Sequence, residues 1–334
     1  MVKWLVIGGT RFLGRALVER AIDGGHDVTL FNRGVSGPDV FPDLETITGD
    51  RTNPDDLAKL AGRQWDAVFD PSGYLPGVVR QSVDALRDSV GHYTFISSIS
   101  AYRDFSQPGL DETYPVGTLD DPSVTEVTGE TYGPLKALCE QVVAEGFTGR
   151  SLNVRAGLII GPYDPTDRFT YWATRIQRGG DFLAPESPAY QVQAIDVRDI
   201  ADWALRMAQA GTAGTFNVTS EHMPFGAVVE AIQQATGSSA MPVYVDAQFL
   251  IDNDVQMWME LPLWIPESEA GFAHMSKVSV KRAFDAGLRT RPLVDTVRDL
   301  LAWTATRPVD YAPKAGLAAD KEARILDLWR VRQG

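Results

Sequence analysis

Val2-Lys3-Trp4-Leu5-Val6-Ile7-Gly8-Gly9-Thr10-Arg11-Phe12-Leu13-Gly14-Arg15-Ala16-Leu17-Val18-Glu19-Arg20-Ala21 runs from an apolar segment of strand length through a glycine-rich turn into a helix-like repeat. Strand, glycine turn and helix in that order are the context a dinucleotide fingerprint requires. Glycine permits the tight turn and a close approach of backbone to a pyrophosphate. The helix N-terminus then offers free N–H groups and a positive dipole end to the phosphates. Gly24-Gly25-His26 turns the chain into a second strand, Asp27-Val28-Thr29-Leu30-Phe31, with His26 a turn residue without chemistry.

Val2–Ile7, Val28–Phe31, Glu45–Thr48, Ala67–Asp70, Tyr93–Ser97 and Leu152–Arg155 read as strands separated by helical stretches. Such alternation predicts an α/β chain with a Rossmann-type, doubly wound parallel sheet. Ligands bind beyond the carboxyl ends of such strands. Those ends are the glycine turn, Asn32-Arg33, Gly49-Asp50-Arg51, Asp70-Pro71-Ser72 and the serine cluster Ser97-Ser98-Ile99-Ser100. Beyond residue 156 proline and tryptophan become frequent and the pattern loosens. Gln193–Ile195 leading into Asp199–Met207 reads as a return to the sheet, and Asp196, Arg198 and Asp199 as caps that tie the halves together. The expected organisation is a dinucleotide-binding domain over 1–155 plus about 192–218, and a smaller substrate-binding domain over 156–191 and 219–334.

The chain has 334 residues, 44% of them hydrophobic, with 31 basic and 44 acidic side chains and a net charge of −13. No basic run is present, so neither nucleic acid nor an anionic membrane is an expected partner; a small-molecule substrate is. Cys139 is the sole cysteine, and His26, His92, His222 and His274 lack metal-ligand spacing, so no metal is expected. The composition points to a cytoplasmic setting, and the first strand begins too soon for a signal peptide to precede it.

The chemistry-bearing pattern is Tyr132-Gly133-Pro134-Leu135-Lys136, downstream of the serine cluster. A phenol four residues before an ammonium shares its helix face, so the cation can pull the phenol pKa toward working pH. A nearby serine hydroxyl would hold a substrate oxygen. The alternative is an exposed helix face.

Together the glycine turn, Asp50, Ser98 to Tyr102, Tyr132-x-x-x-Lys136, Arg155 to Pro162 and Ile195 to Ala201 resemble an extended short-chain dehydrogenase/reductase of the NAD-dependent epimerase/dehydratase-like group. Gly-Gly-Thr-Arg-Phe-Leu-Gly, Phe-Asn-Arg-Gly and Gly-Pro-Tyr-Asp-Pro-Thr-Asp-Arg-Phe-Thr-Tyr-Trp resemble a bacterial branch of reductases or epimerases related to chloroplast stem-loop RNA-binding proteins. The resemblance implies that Tyr132 is the general acid/base, that Lys136 holds the nicotinamide ribose and lowers the tyrosine pKa, and that Ser98 hydrogen-bonds the reacting oxygen. It implies a cofactor site of Gly8, Thr10, Arg11, Phe12, Leu13, Gly14, Asn32, Arg33, Asp50, Arg51, Asp70, Pro71, Ser72, Ser97, Tyr132 and Lys136, with Ser97 alternatively a loop support.

Departures from that pattern shape the expectation. Arg11 replaces the second glycine of the fingerprint, and Asn32-Arg33 replaces the acidic residue that would take a ribose 2'-hydroxyl, which favours NADP(H) over NAD(H). Leu158 stands where nucleotide-sugar enzymes carry an asparagine, Tyr190 to Ala194 supplies no arginine, and Ile99-Ser100 replaces an Asp-Glu pair. A small or sugar-like carbonyl or alcohol is therefore expected, with pocket candidates Tyr74, Ser100, Tyr102, Leu158, Arg168, Trp172 and Trp264, and further walls in Tyr163, Phe169 and Trp258. Arg168 either clamps an anion or pairs with Asp164 or Asp167. The expected activity is an NADP-dependent oxidoreductase; the alternatives are a sugar or nucleotide-sugar epimerase with retained cofactor, and a non-catalytic regulatory or RNA-binding protein. Leu317, Ile325, Leu328 and Trp329 predict a tail helix that packs on the body or joins a homodimer contact.

Overall fold

Strands β1 (Lys3–Ile7), β2 (Asp27–Asn32), β3 (Glu45–Thr48), β4 (Trp65–Asp70), β5 (Val90–Ser98), β6 (Ser151–Ala156) and β7 (Gly214–Val218) form one sheet in the order β7-β6-β5-β4-β1-β2-β3. Every neighbouring pair is parallel. This computed structural model describes residues 2–37, 39–121 and 123–334. The longer helices are α1 (Phe12–Asp23), α2 (Pro76–Leu86), α3 (Tyr132–Gly146), α4 (Arg168–Gln177), α5 (Val197–Gln209), α6 (Phe225–Thr236), α7 (Leu293–Thr304) and α8 (Ala319–Gln333).

Trp4, Leu5, Val6 and Ile7 are buried in succession, because helices cover both faces of a parallel sheet. One face packs Trp4, Leu17, Val18, Leu30, Phe69 and Trp203 with α1 and α5. The other packs Phe31, Val68, Val79, Phe95, Val143 and Phe147 with α2 and α3. A further core, including Phe169, Trp172, Phe182, Phe225 and Ile325, surrounds the parallel pair Asp181–Pro185 and Met241–Val245 in the C-terminal half.

The six strands read from sequence are present, but the return to the sheet differs. Gln191–Val192 and Ile195–Asp196 pair with Met223–Pro224 and Ile159–Ile160, away from the central sheet. The strand that returns is β7, after α5, beside β6. Its polar Asn217 hides the apolar pattern: the side chain is buried, accepting from the Tyr102 hydroxyl at 2.8 Å and donating to the Ser279 carbonyl at 3.0 Å. The tail packs back through Leu317 and Ile325, whereas Leu328 is exposed. No helix among the described residues is long and apolar enough to cross a membrane.

Candidate active site

The central strand β1 has β2 and β4 on either side, so the chain diverges at its carboxyl end and leaves a crevice there. Gly8 and Gly9 enter it with φ +106° and +91°. A Cβ at Gly9 would stand 2.9 Å from Leu30 Cδ2, and one at Gly14 would stand 3.0 Å from the Gly9 nitrogen, so the turn and α1 pack only because both side chains are missing. Arg11 caps α1 without a side-chain hydrogen bond, leaving the first-turn N–H groups to a ligand. This cradle fits a dinucleotide pyrophosphate. Leu13 is buried in the core, so only its backbone can contribute.

At the end of β2, Asn32 braces the turn: its Nδ2 donates to the Gly8 carbonyl at 3.1 Å and its Oδ1 accepts from Gly34 N at 2.8 Å. Arg11 and Arg33 are exposed and make no side-chain hydrogen bond or ion pair among the described residues. Asp50 accepts from Thr52 N and Oγ1, which with the Arg33 charge holds its carboxyl below the ordinary range. Pro71 lies against Gly14, and Ser72 Oγ donates to the Ile7 carbonyl at 3.2 Å.

The Asp70 carboxylate is wholly buried and takes Arg51 Nη1 and Nη2 at 2.6 and 2.7 Å and the Tyr93 hydroxyl at 2.8 Å. Its side chain is thus committed to the interior, while Arg51 stays partly exposed and also donates to Ser72 Oγ at 3.3 Å. The Ser97 hydroxyl donates to Glu140, which also receives Arg155 Nη2 at 2.7 Å, so this side chain takes the supporting role of its two expected ones.

Tyr132 opens α3 and lies beside Ser98, and the next residue explains how. A Cβ at Gly133 would meet the Ser100 carbonyl oxygen at 2.0 Å, so the helix start touches the segment after β5 only as glycine. Ser98 Oγ accepts from Ser100 N at 3.1 Å, which fixes the hydroxyl at the strand end. The exposed Tyr74 ring lies 6.4 Å from that of Tyr132, and Lys136 Nζ lies 5.3 Å from the Tyr74 centroid. Lys136 is buried and donates to the Gly73 and Ile96 carbonyls, at 2.8 and 2.5 Å.

The electrostatics depart from expectation. Burial raises the Tyr132 pKa, against a lowering by Ser98 and a smaller one by Arg168. Burial also pulls Lys136 down to about 8. In this state the ammonium is engaged by two backbone carbonyls, and the phenol is held protonated. The neighbouring Cys139 thiol is pushed up to about 12 by burial, which leaves it an inert core residue.

Several wall candidates belong to the core. Trp172 is fully buried and donates to the Pro262 carbonyl; Trp264 is 1% exposed and donates to Glu186; Phe169 is 1% exposed. Tyr102 is buried against Arg155 and bonded to Asn217. Tyr163 stacks on Arg15 and borders a separate cavity of about 300 Å³ with Arg198 and Trp303. Leu158 packs against the C-terminal core, and Ser100 is half-buried beside Ser98. Tyr74, Trp258 and Arg168 remain near Tyr132 or each other. Sequence reading passed over Gly73, Gly133, Glu140 and Met259; for Gly133 the signal was present, since glycine directly after the tyrosine is a poor helix former in want of a reason.

The model of the NAD dependent epimerase/dehydratase family matches residues 4–219. The chain belongs to this family. The family's NAD dependence agrees with the glycine cradle, so a nicotinamide dinucleotide is its cofactor class. Among known proteins, the family member described here is 26% identical over 255 residues to the chloroplast stem-loop binding protein of 41 kDa b of Arabidopsis thaliana, a match covering 70% of this chain and 63% of that protein. UDP-N-acetylglucosamine 4-epimerase from Bacillus cereus superposes with a TM-score of 0.67 at 17% identity, over 91% of this chain and 99% of that one. UDP-glucose 4-epimerase of Thermus thermophilus, solved with NAD, gives 0.64 at 16% identity, over 92% and 100%. At these identities the solved structures establish the fold.

Proposed function

We propose that this family member is an NADP-dependent oxidoreductase acting on a small or sugar-like carbonyl or alcohol. The observation that carries the reading is the grouping of Tyr132, Ser98 and Lys136 at the carboxyl end of β5, beside the glycine cradle. The nicotinamide, when bound, supplies or accepts the hydride. Tyr132 Oη gives the proton to the substrate oxygen in reduction or takes it in oxidation, and a phenol held protonated by burial suits the first. Ser98 Oγ lies where it can hydrogen-bond the same oxygen. An ammonium has three donors, and Lys136 uses two on Gly73 and Ile96, so one remains for a ribose hydroxyl.

Preference for NADP(H) is supported by Arg11 and Arg33, which are unpaired among the described residues, and by the internal use of Asn32. The absence of nucleotide-sugar anchors is supported by Leu158 and by Gln193, whose amide is engaged by Ser220 and Val278. A second reading, an epimerase that retains its cofactor, draws on the names of the structural neighbours. Stem-loop binding, from the name of the Arabidopsis thaliana relative, is disfavoured by a net charge of −13.

The test is NADPH against NADH oxidation over aldehydes, ketones and keto-sugars. Turnover with NADPH should fall by about 10²- to 10⁴-fold in Tyr132→Phe, and Arg33→Ala should weaken NADPH binding about tenfold or more while sparing NADH. Binding of a cofactor without its consumption would replace the reductase by the epimerase.

A further inference from the structure

The proposed oxidoreductase reading leaves Arg168 without a role, and its surroundings name one. The residue opens α4, after a loop that carries two carboxylates, of which Asp164 keeps one buried oxygen, Oδ2, without a hydrogen-bond partner. Asp167 pairs with Arg307 at 2.7 Å and accepts from the Tyr311 hydroxyl at 2.6 Å and Lys314 N at 3.0 Å. Asp164 Oδ1 accepts from Thr166 N and Oγ1, both at 2.8 Å. Neither carboxylate lies within ion-pair distance of Arg168. The guanidinium instead rests with Cζ 5.4 Å from the Trp258 ring centroid and Nη2 3.8 Å from Met259 Sδ.

Its Nε is buried and has no hydrogen-bond partner. A buried N–H donor facing a thioether and an indole, with no acceptor, is a costly arrangement. The missing partner is an anionic acceptor. The backbone around it is also held against ordinary preference: Tyr163, Asp167 and Trp258 have φ of 68°, 61° and 64°. The Arg168 charge also acts on the Tyr132 phenol, so the guanidinium and the proton-transfer group are electrostatic neighbours.

We propose that Arg168 receives a carboxylate or phosphate of the substrate, so that the substrate class is a carbonyl compound or alcohol bearing an anionic group near its reacting carbon. A guanidinium fork matches either anion with two parallel N–H donors, and Trp258 beneath it fixes the plane of the fork. Asp164 stays close enough to favour the charged guanidinium without occupying it.

The experiment titrates wild type, Arg168→Met, Arg168→Lys and, as a control at an exposed arginine of α8, Arg324→Ala with inorganic phosphate and, separately, with acetate by calorimetry, and records the thermal unfolding of each variant to show that it folds. The expected result is that Arg168→Met loses about tenfold or more in affinity for at least one of the two anions, that Arg168→Lys falls between, and that Arg324→Ala keeps binding. Which anion responds separates a phosphate from a carboxylate substrate. No binding by wild type, equal binding by a folded Arg168→Met, or an equal loss in Arg324→Ala would each overturn the proposal. Failure of the oxidoreductase reading is separable: it shows as anion binding at Arg168 without NADPH consumption, whereas turnover of neutral carbonyls untouched by Arg168→Met retains the reductase and removes the anion site.

Discussion

Gly133 sets the spacing between the phenol and the serine hydroxyl, and nothing larger fits there. Gly133→Ala places a methyl 2.0 Å from the Ser100 oxygen, so α3 must retreat by about 1 Å and carry Tyr132 with it. The expected outcome is a loss of about 10²-fold in kcat with cofactor affinity kept, measured by steady-state kinetics beside NADPH titration. Lys136 makes the second prediction. Its pKa is depressed from the ordinary 10.5 to about 8, so between those values the unfolded chain holds the proton that the folded chain has released. Stability therefore rises with pH across that window, as the cost of the buried charge is relieved. Reduction moves the other way, falling as pH passes about 8 and Lys136 loses its charge; Lys136→Arg should lose that alkaline limb, as a rate-against-pH profile will show. The tyrosine and lysine were legible in sequence because their spacing is local. The direction of their pKa shifts was not, since burial and the carbonyls of Gly73 and Ile96 come from distant segments.

Elements were legible where both faces of a strand are apolar and illegible where a buried polar group interrupts the run. Trp4 to Ile7 belongs to the first kind and β7, with Asn217, to the second. The buried ion pairs escaped reading for the same reason: the acid on α3 and the base on β6 meet only in the fold. Arg155 Nε and Nη2 approach Glu140 at 3.0 and 2.7 Å and tie α3 to the sheet. Glu140→Ala leaves the guanidinium buried and uncompensated, for an expected loss of about 3–5 kcal/mol. Urea denaturation checks this, and an Arg155→Met/Glu140→Leu double variant should recover most of the loss if the penalty is the orphaned charge.

For the whole molecule, the tail completes the C-terminal half. Glu322 on α8 accepts Arg175 Nε at 2.7 Å and Leu183 N at 3.1 Å, while Tyr311 and Lys314 hold the carboxylate next to Arg168. Glu322→Ala should lower stability by about 3–5 kcal/mol and leave NADPH affinity unchanged, because the glycine cradle sits in the other half; chemical denaturation and cofactor titration on one preparation check both. Substrate walls were least legible at this scale, since Trp172 and Trp264 have the composition of a pocket and the burial of a core. The contact at Gly133 also bears on descent. Every single-nucleotide change of a glycine codon that still encodes an amino acid different from glycine introduces a β-carbon. Drift at this position must therefore meet the Ser100 backbone in its first step, or wait for that segment to move beforehand.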